Sequence, residues 1–140
     1  MIIVCPSCTS ANRVPDERLA DGPTCGRCKA DLFRGKPIEV DGGALTAHVS
    51  RGGLPVLVDF WAPWCGPCRM MAPEFEKAAA TLEPKVRLLK LDTQAHQEAG
   101  ASYGIRSIPT MILFKDGREV TRQSGAMSSA QIQVWVRQNV

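Results

Sequence analysis

The sequence predicts an α/β fold: a mixed central sheet flanked by helices, with a small N-terminal module that carries four cysteines. Three observations point there. Short apolar runs of strand length alternate with helical patterns. The last two strand-like runs, Thr110 to Lys115 and Arg118 to Ser124, are joined by Asp116-Gly117, a hairpin signal. Four of the six cysteines lie in the first 28 residues, ahead of any long apolar pattern.

Length and composition set the bounds. The chain has 140 residues, 44% of them hydrophobic, enough for one ordinary domain plus an appendage. The net charge of +3 is too small to argue for nucleic acid or a membrane surface. It is also spread evenly, with five basic and four acidic residues up to position 34 and twelve and ten after it, so neither part is a polybasic arm. No apolar run approaches the roughly 18 residues of a membrane span. Met1-Ile2-Ile3-Val4 has neither the basic start nor the long apolar stretch of a signal peptide. A cytoplasmic location is the expectation. Cysteines there read as metal ligands or catalytic thiols before structural disulfides.

Residues 1–34 read as a metal-binding module. Cys5-Pro6-Ser7-Cys8 and Cys25-Gly26-Arg27-Cys28 are sixteen residues apart, within zinc-ribbon spacing. Each Cys-x-x-Cys turn brings two sulfurs to one ion, and the intervening loop folds back to offer the other pair. Four thiolates form a closed shell without an open catalytic position, so one structural Zn2+ per chain is expected, held by Cys5, Cys8, Cys25 and Cys28. The large apolar side chains here are few (Ile2, Ile3, Val4, Val14, Leu19, Leu32 and Phe33), and metal ligation would supply the missing stability. Two disulfides in a secreted module, or four free thiols, are the competing readings.

Arg34-Gly35-Lys36-Pro37 reads as a hinge, and residues 35–42 as a linker with a first edge strand at Ile38-Glu39-Val40. The main domain then spans residues 43–140. Ala44 to Val49 is a brief helix with Leu45 and Val49 four apart, ended by Arg51-Gly52-Gly53. His48 on this helix reads as a surface histidine.

Val56 to Phe60 is apolar except for Asp59. A buried parallel strand is a continuous apolar run, so Asp59 stands out, either as a candidate buried acid with a raised pKa or as a solvated carboxylate at the strand end. Asp59-Phe60-Trp61-Ala62-Pro63-Trp64-Cys65-Gly66-Pro67-Cys68 follows, with the helix starting at about Pro67 and running to Leu82. A cysteine at a helix N-terminus is favoured as thiolate, and Pro67 is tolerated in the first turn. Cys65 is the expected exposed nucleophile and Cys68, one turn in, the resolving thiol. Pro73 should kink this helix.

This segment resembles the active site of the thioredoxin family, and with the four cysteines ahead of it the whole chain resembles the zinc-bearing bacterial thioredoxin 2 branch. The resemblance implies the thioredoxin fold, and a protein disulfide reductase working by dithiol–disulfide exchange through Cys65-Gly66-Pro67-Cys68. It implies that Asp59 assists deprotonation of Cys68 and that Lys90, in the strand Val86 to Asp92, modulates Asp59; a solvent-facing Lys90 is the alternative. It places Trp64 beside the nucleophile with Trp61 behind it. Trp64, Gly66, Pro67, Ile108, Pro109, Gly125 and Ala126 become the docking surface, and Ile108–Pro109 is expected to be cis. The implied partners are thioredoxin reductase, which uses NADPH, and disulfide-bearing cytosolic proteins. No organic cofactor, nucleic acid or membrane is expected, and the chain reads as a monomer. A non-catalytic clamp and a zinc-releasing redox sensor are the alternative functions.

After a short helix at 94–101, the chain closes with a helix capped by Ser128 or Ser129. Its apolar face is formed by Ile132, Val134 or Trp135, and Val136.

Overall fold

The computed structural model describes residues 1–140. Its centre is a five-stranded sheet in the order β3-β5-β4-β6-β7. These strands are β3 (Ile38–Glu39), β4 (Val56–Trp61), β5 (Arg87–Asp92), β6 (Thr110–Lys115) and β7 (Arg118–Ser124). β3 and β4 flank β5 in parallel, while β6 runs antiparallel to β4 and to β7. This is the expected mixed sheet, with Ile38–Glu39 at its edge. The β6–β7 turn is built on left-handed residues, Asp116 (φ 53°) and Gly117 (φ 78°), as a tight hairpin requires.

The helices are α1 (Gly42–Arg51), α2 (Gly66–Leu82), α3 (Gln97–Ser102) and α4 (Ser129–Asn139). Asp41 caps α1 by accepting from the Ala44 N–H at 2.8 Å. Ser128, not Ser129, caps α4, in a reciprocal box with Gln131, the pattern that satisfies two otherwise free donors. α2 stays helical for 17 residues with Pro73 inside it. No helix is long and apolar enough to cross a membrane.

Alternation along β4 sorts the core into two layers. Val56, Val58 and Phe60 join Leu89, Leu91 and Ile112 on the face covered by α1 and α3. Leu57 points the other way, to Leu88, Met111 and the buried stripe of α2 and α4, which includes Met71, Phe75, Ile132 and Val136. Of the alternatives on α4, Trp135 packs against this layer and Val134 is exposed. By the same period of two, Asp59 lies on the α2 face.

The N-terminal residues make a small antiparallel hairpin, β1 (Ile2–Val4) with β2 (Ala11–Arg13). Ile3, Val14 and Leu32 are buried there with Cys5, Cys25 and, from just before β4, Leu54. The Gly53 N–H donates to the Ile2 carbonyl at 2.8 Å, and Arg51 Nη2 to the Thr9 carbonyl at 2.8 Å. The hinge segment turns at Gly35 (φ 68°), and the Gly35 N–H donates to Glu83 Oε1 at 2.7 Å. The hairpin therefore lies against the start of β4 and the end of α1.

His48 corrects the sequence reading. It is 2% exposed, not a surface histidine. The N-terminal hairpin covers its side of α1, a long-range contact that local helical spacing does not reveal. Burial, aided by the nearby Arg87 and Arg51 charges, pushes its pKa down to about 3.

Candidate active site and four-cysteine cluster

β4 ends at Trp61, and α2 begins five residues later at Gly66. Cys65 is the N-cap of α2, and Cys68 sits in its first turn, 5.2 Å away between Cα atoms and joined to it by a disulfide. The Cys68 N–H donates to Cys65 Sγ at 3.2 Å. A helix N-terminus offers free N–H groups and a positive dipole end, so the same geometry that caps the helix stabilises a thiolate on Cys65 after reduction. Pro67, in the first turn, gives up no needed donor.

Cys65 is less open than expected. It is 5% exposed and lies in a small apolar cluster with Ala62, Cys68 and Ile108. Its sulfur lies 3.8 Å from the Ile108 carbonyl oxygen. The exposed feature beside it is Trp64, at 68%. Pro67 is exposed and Gly66 half-buried.

Of the expected docking residues, Ile108 reaches the disulfide from a distant part of the chain. The Ile108–Pro109 bond is cis; so is Glu83–Pro84, which the sequence reading did not single out. The Pro109 carbonyl accepts from the Gly125 N–H at 2.9 Å. Gly125 has φ 94°, a left-handed conformation that suits glycine alone at low cost. Gly125 and Ala126 are exposed, so this edge carries little bulk. A groove of about 340 Å³ opens between Trp64, Thr93, Gly100, Ile105 and Ile108. A larger polar recess of about 610 Å³ lies between α1 and α3 and includes neither cysteine.

Asp59 is fully buried, and neither carboxylate oxygen has a hydrogen-bond partner. Burial raises its pKa to about 7; Lys90 pulls it down and Glu39 pushes it up. Glu39, Lys90 and Asp59 occupy one register line across β3, β5 and β4. The Lys90 ammonium lies 3.8 Å from Glu39 Oε1 and 4.3 Å from the centre of the Trp61 ring. Lys90 is therefore not a freely solvated strand lysine. Glu39 is the member that sequence reasoning missed; the available signal was a carboxylate between Ile38 and Val40 in an alternating strand.

The other four cysteines form a second site at the opposite end of β4. Their sulfurs all lie within 4.8 Å of one another, with Cys5–Cys28 and Cys8–Cys25 at 3.6 Å each. A zinc tetrahedron with Zn–S of about 2.3 Å has edges of about 3.8 Å, so the sulfur cage fits such an ion. The two turns repeat one geometry. In the first, the Ser7 and Cys8 N–H groups point at Cys5 Sγ, 3.3 and 3.5 Å away. In the second, the Arg27 and Cys28 N–H groups point at Cys25 Sγ, 3.4 and 3.5 Å away. Each turn exits through a left-handed residue, Thr9 (φ 61°) and Lys29 (φ 68°). Donors from Cys28 and Arg27 help pull the Cys25 thiol down to about 6, while burial and the neighbouring sulfurs push the Cys28 thiol up to about 11, so the four thiols share protons among themselves when no ion holds them.

Comparison with known proteins agrees with this geometry. The thioredoxin family model matches residues 37–138, and a zinc-ribbon model described as thioredoxin 2, N-terminal, matches residues 4–30. Thioredoxin C-3 of Corynebacterium nephridii is 45% identical over 140 residues, covering all of this chain and 96% of that protein. Thioredoxin of Haemophilus influenzae is 40% identical over 92 residues, covering 66% of this chain and 86% of that protein. Among solved structures, Malassezia sympodialis thioredoxin superposes with a TM-score of 0.69 at 32% identity, covering 76% of this chain and 93% of that one.

Proposed function

The chain belongs to the thioredoxin family, and from that premise we propose how its residues divide the work of reducing protein disulfides. The observation that carries the reading is the Cys65–Cys68 disulfide at the N-terminus of α2, seated against the Ile108 carbonyl.

In the reduced protein, the Cys65 thiolate attacks one sulfur of a target disulfide. The target S–S bond breaks, a mixed disulfide forms, and the first target sulfur leaves as a thiolate that takes a proton from solvent. Cys68 then loses its proton and attacks Cys65 Sγ. The mixed disulfide breaks, the second target thiolate departs, and the Cys65–Cys68 disulfide remains, two electrons having passed to the target. Asp59 receives the Cys68 proton. It lies on the sheet face covered by the helix that carries Cys68, and a carboxyl with a pKa of about 7 is balanced to take a proton at neutral pH. Lys90 and Glu39 set that balance from opposite sides.

Trp64, Gly66, Pro67, Ile108, Pro109, Gly125 and Ala126 receive the target. An extended segment pairs with the backbone beside Pro109, and the lack of side-chain bulk at Gly125 leaves room for it. Thioredoxin reductase returns electrons from NADPH to the Cys65–Cys68 disulfide, and disulfide-bearing cytoplasmic proteins are the targets. Cys5, Cys8, Cys25 and Cys28 hold one Zn2+ in a closed shell that supplies stability and no open coordination position.

Trapping tests the division of labour between the cysteines. Cys68→Ser should accumulate a mixed disulfide with a protein target through Cys65, read by mass spectrometry after proteolysis. Cys65→Ser should trap none. A cross-link through Cys68 in the second variant, at the level seen in the first, reverses the assignment.

A further inference from the structure

The start of β5 carries a buried ion pair that disulfide exchange does not use. Arg87 Nη1 lies 3.2 Å from Glu83 Oε2, and both side chains are buried. Such a pair persists only when its remaining polar groups are also satisfied. The groups that complete it come from the N-terminal 35 residues. Arg87 Nη2 donates to the Val4 carbonyl at 3.1 Å, and the guanidinium lies over the Phe33 ring at 4.8 Å. The Gly35 N–H donates to Glu83 Oε1 at 2.7 Å. Val4 immediately precedes Cys5, the first sulfur of the cluster. Leu54 adds apolar continuity by joining the same buried cluster as Ile3, Cys5, Val14, Cys25 and Leu32.

We propose that the Glu83–Arg87 pair couples the four-cysteine module to the reductase domain, so that metal bound by Cys5, Cys8, Cys25 and Cys28 stabilises the reductase domain as well as the module. The inference rests on the metal reading above. A module with so small a core depends on its metal to fold. When it is folded, Val4, Phe33 and Gly35 stand where the ion pair needs them. When it unfolds, the ion pair loses the Val4 and Gly35 hydrogen bonds and the stacked Phe33 ring, and hydrogen bonds to charged groups are among the stronger ones to lose. Arg87 and Glu83 touch neither the sulfurs nor the active-site disulfide, so they act as positioning residues. Coupling of this kind is reciprocal: the pair also holds the metal more tightly by holding Val4 in place.

Tryptophan fluorescence separates the two halves, because Trp61, Trp64 and Trp135 all follow residue 37. The experiment uses the full chain under anaerobic conditions with the active-site disulfide intact. Bound zinc is counted first, then the tryptophan-monitored thermal midpoint is read before and after a zinc chelator. In the wild type, removing zinc should lower the midpoint by about 5 °C or more. In the double variant Glu83→Gln/Arg87→Met, which removes both charges at similar volume, that shift should fall below half. Zinc should also pass to a chromogenic chelator about tenfold faster, as expected when an outer-shell support is lost. If the double variant does not fold, Phe33→Leu removes the stacked ring alone and should reduce the same shift. A wild-type midpoint indifferent to zinc, or an undiminished shift in the variants, overturns the coupling. A purified chain with no zinc fails earlier, at the metal reading itself.

Discussion

Asp59 and Lys90 face each other in register on adjacent parallel strands, yet the lysine ammonium is committed elsewhere, 3.8 Å from Glu39 and over the Trp61 ring. The cation is near enough to bias Asp59 electrostatically but leaves both of its oxygens without a hydrogen bond. That arrangement keeps the carboxyl close to half-protonated at neutral pH instead of locking it as a salt bridge.

Neutralising either neighbour should move Asp59 in opposite directions. Glu39→Gln should lower its pKa, because a like charge is removed. Lys90→Met should raise it, because an opposite charge is removed. Carboxyl carbon chemical shifts followed through a pH titration of the oxidised protein give both values. Shifts of the same sign in the two variants contradict the three-residue arrangement.

Asp59 should also make the protein less stable as pH rises. Its folded pKa of about 7 lies above the ordinary 3.8, so between those values the folded state binds more protons than the unfolded one. The stability this confers is complete below about 3.8 and disappears as pH rises through 7. From pH 5.5 to 7 the loss is about 1.5 kcal/mol. Asp59→Asn should lack that slope in urea unfolding, while its disulfide reduction slows. A wild-type slope identical to the variant's contradicts a raised Asp59 pKa.

His48 should act with the opposite sign. Its folded pKa of about 3 is below the ordinary 6.5, so the unfolded state binds the proton first and stability falls as pH drops below about 6.5. Between pH 7.5 and 5.5 this amounts to about 1.4 kcal/mol. His48→Leu should remove that loss, as measured by urea unfolding at both pH values. An unchanged pH dependence places the imidazole in water after all.

The docking surface should separate function from stability. Trp64→Ala, at an exposed position, should change unfolding free energy by no more than about 0.5 kcal/mol, while the KM for a protein disulfide rises severalfold. Gly125→Val should raise KM as well and cost about 1–2 kcal/mol in stability, because valine is strained at φ 94°. A Trp64→Ala variant with unaltered KM removes that residue from target binding.

What was legible in the sequence was local. The β6–β7 hairpin was readable because Asp116-Gly117 is a turn within a few residues of both strands. The two cysteine turns were readable because their spacing encodes the geometry of one ion. Asp59 stood out because a carboxylate interrupts an apolar run. His48, Glu39 and the Glu83–Arg87 pair were not legible as a group, since each depends on a partner far along the chain: His48 on the N-terminal hairpin, Glu39 on Lys90, Arg87 on Val4 and Phe33. Cys65 is expected open because it stands at the helix N-terminus. The structure holds the oxidised form, with the Cys65 sulfur 3.8 Å from the Ile108 carbonyl oxygen.

The central claim, that Cys65 and Cys68 reduce protein disulfides while the other four cysteines serve a separate metal site, is tested by one assay. Insulin disulfide reduction is followed with NADPH and thioredoxin reductase, on wild type and Cys65→Ser, with zinc counted in each. The account predicts turnover in the wild type, none in the variant, and about one zinc per chain in both. Turnover that survives in Cys65→Ser, or wild type that is inactive with its zinc in place, contradicts it.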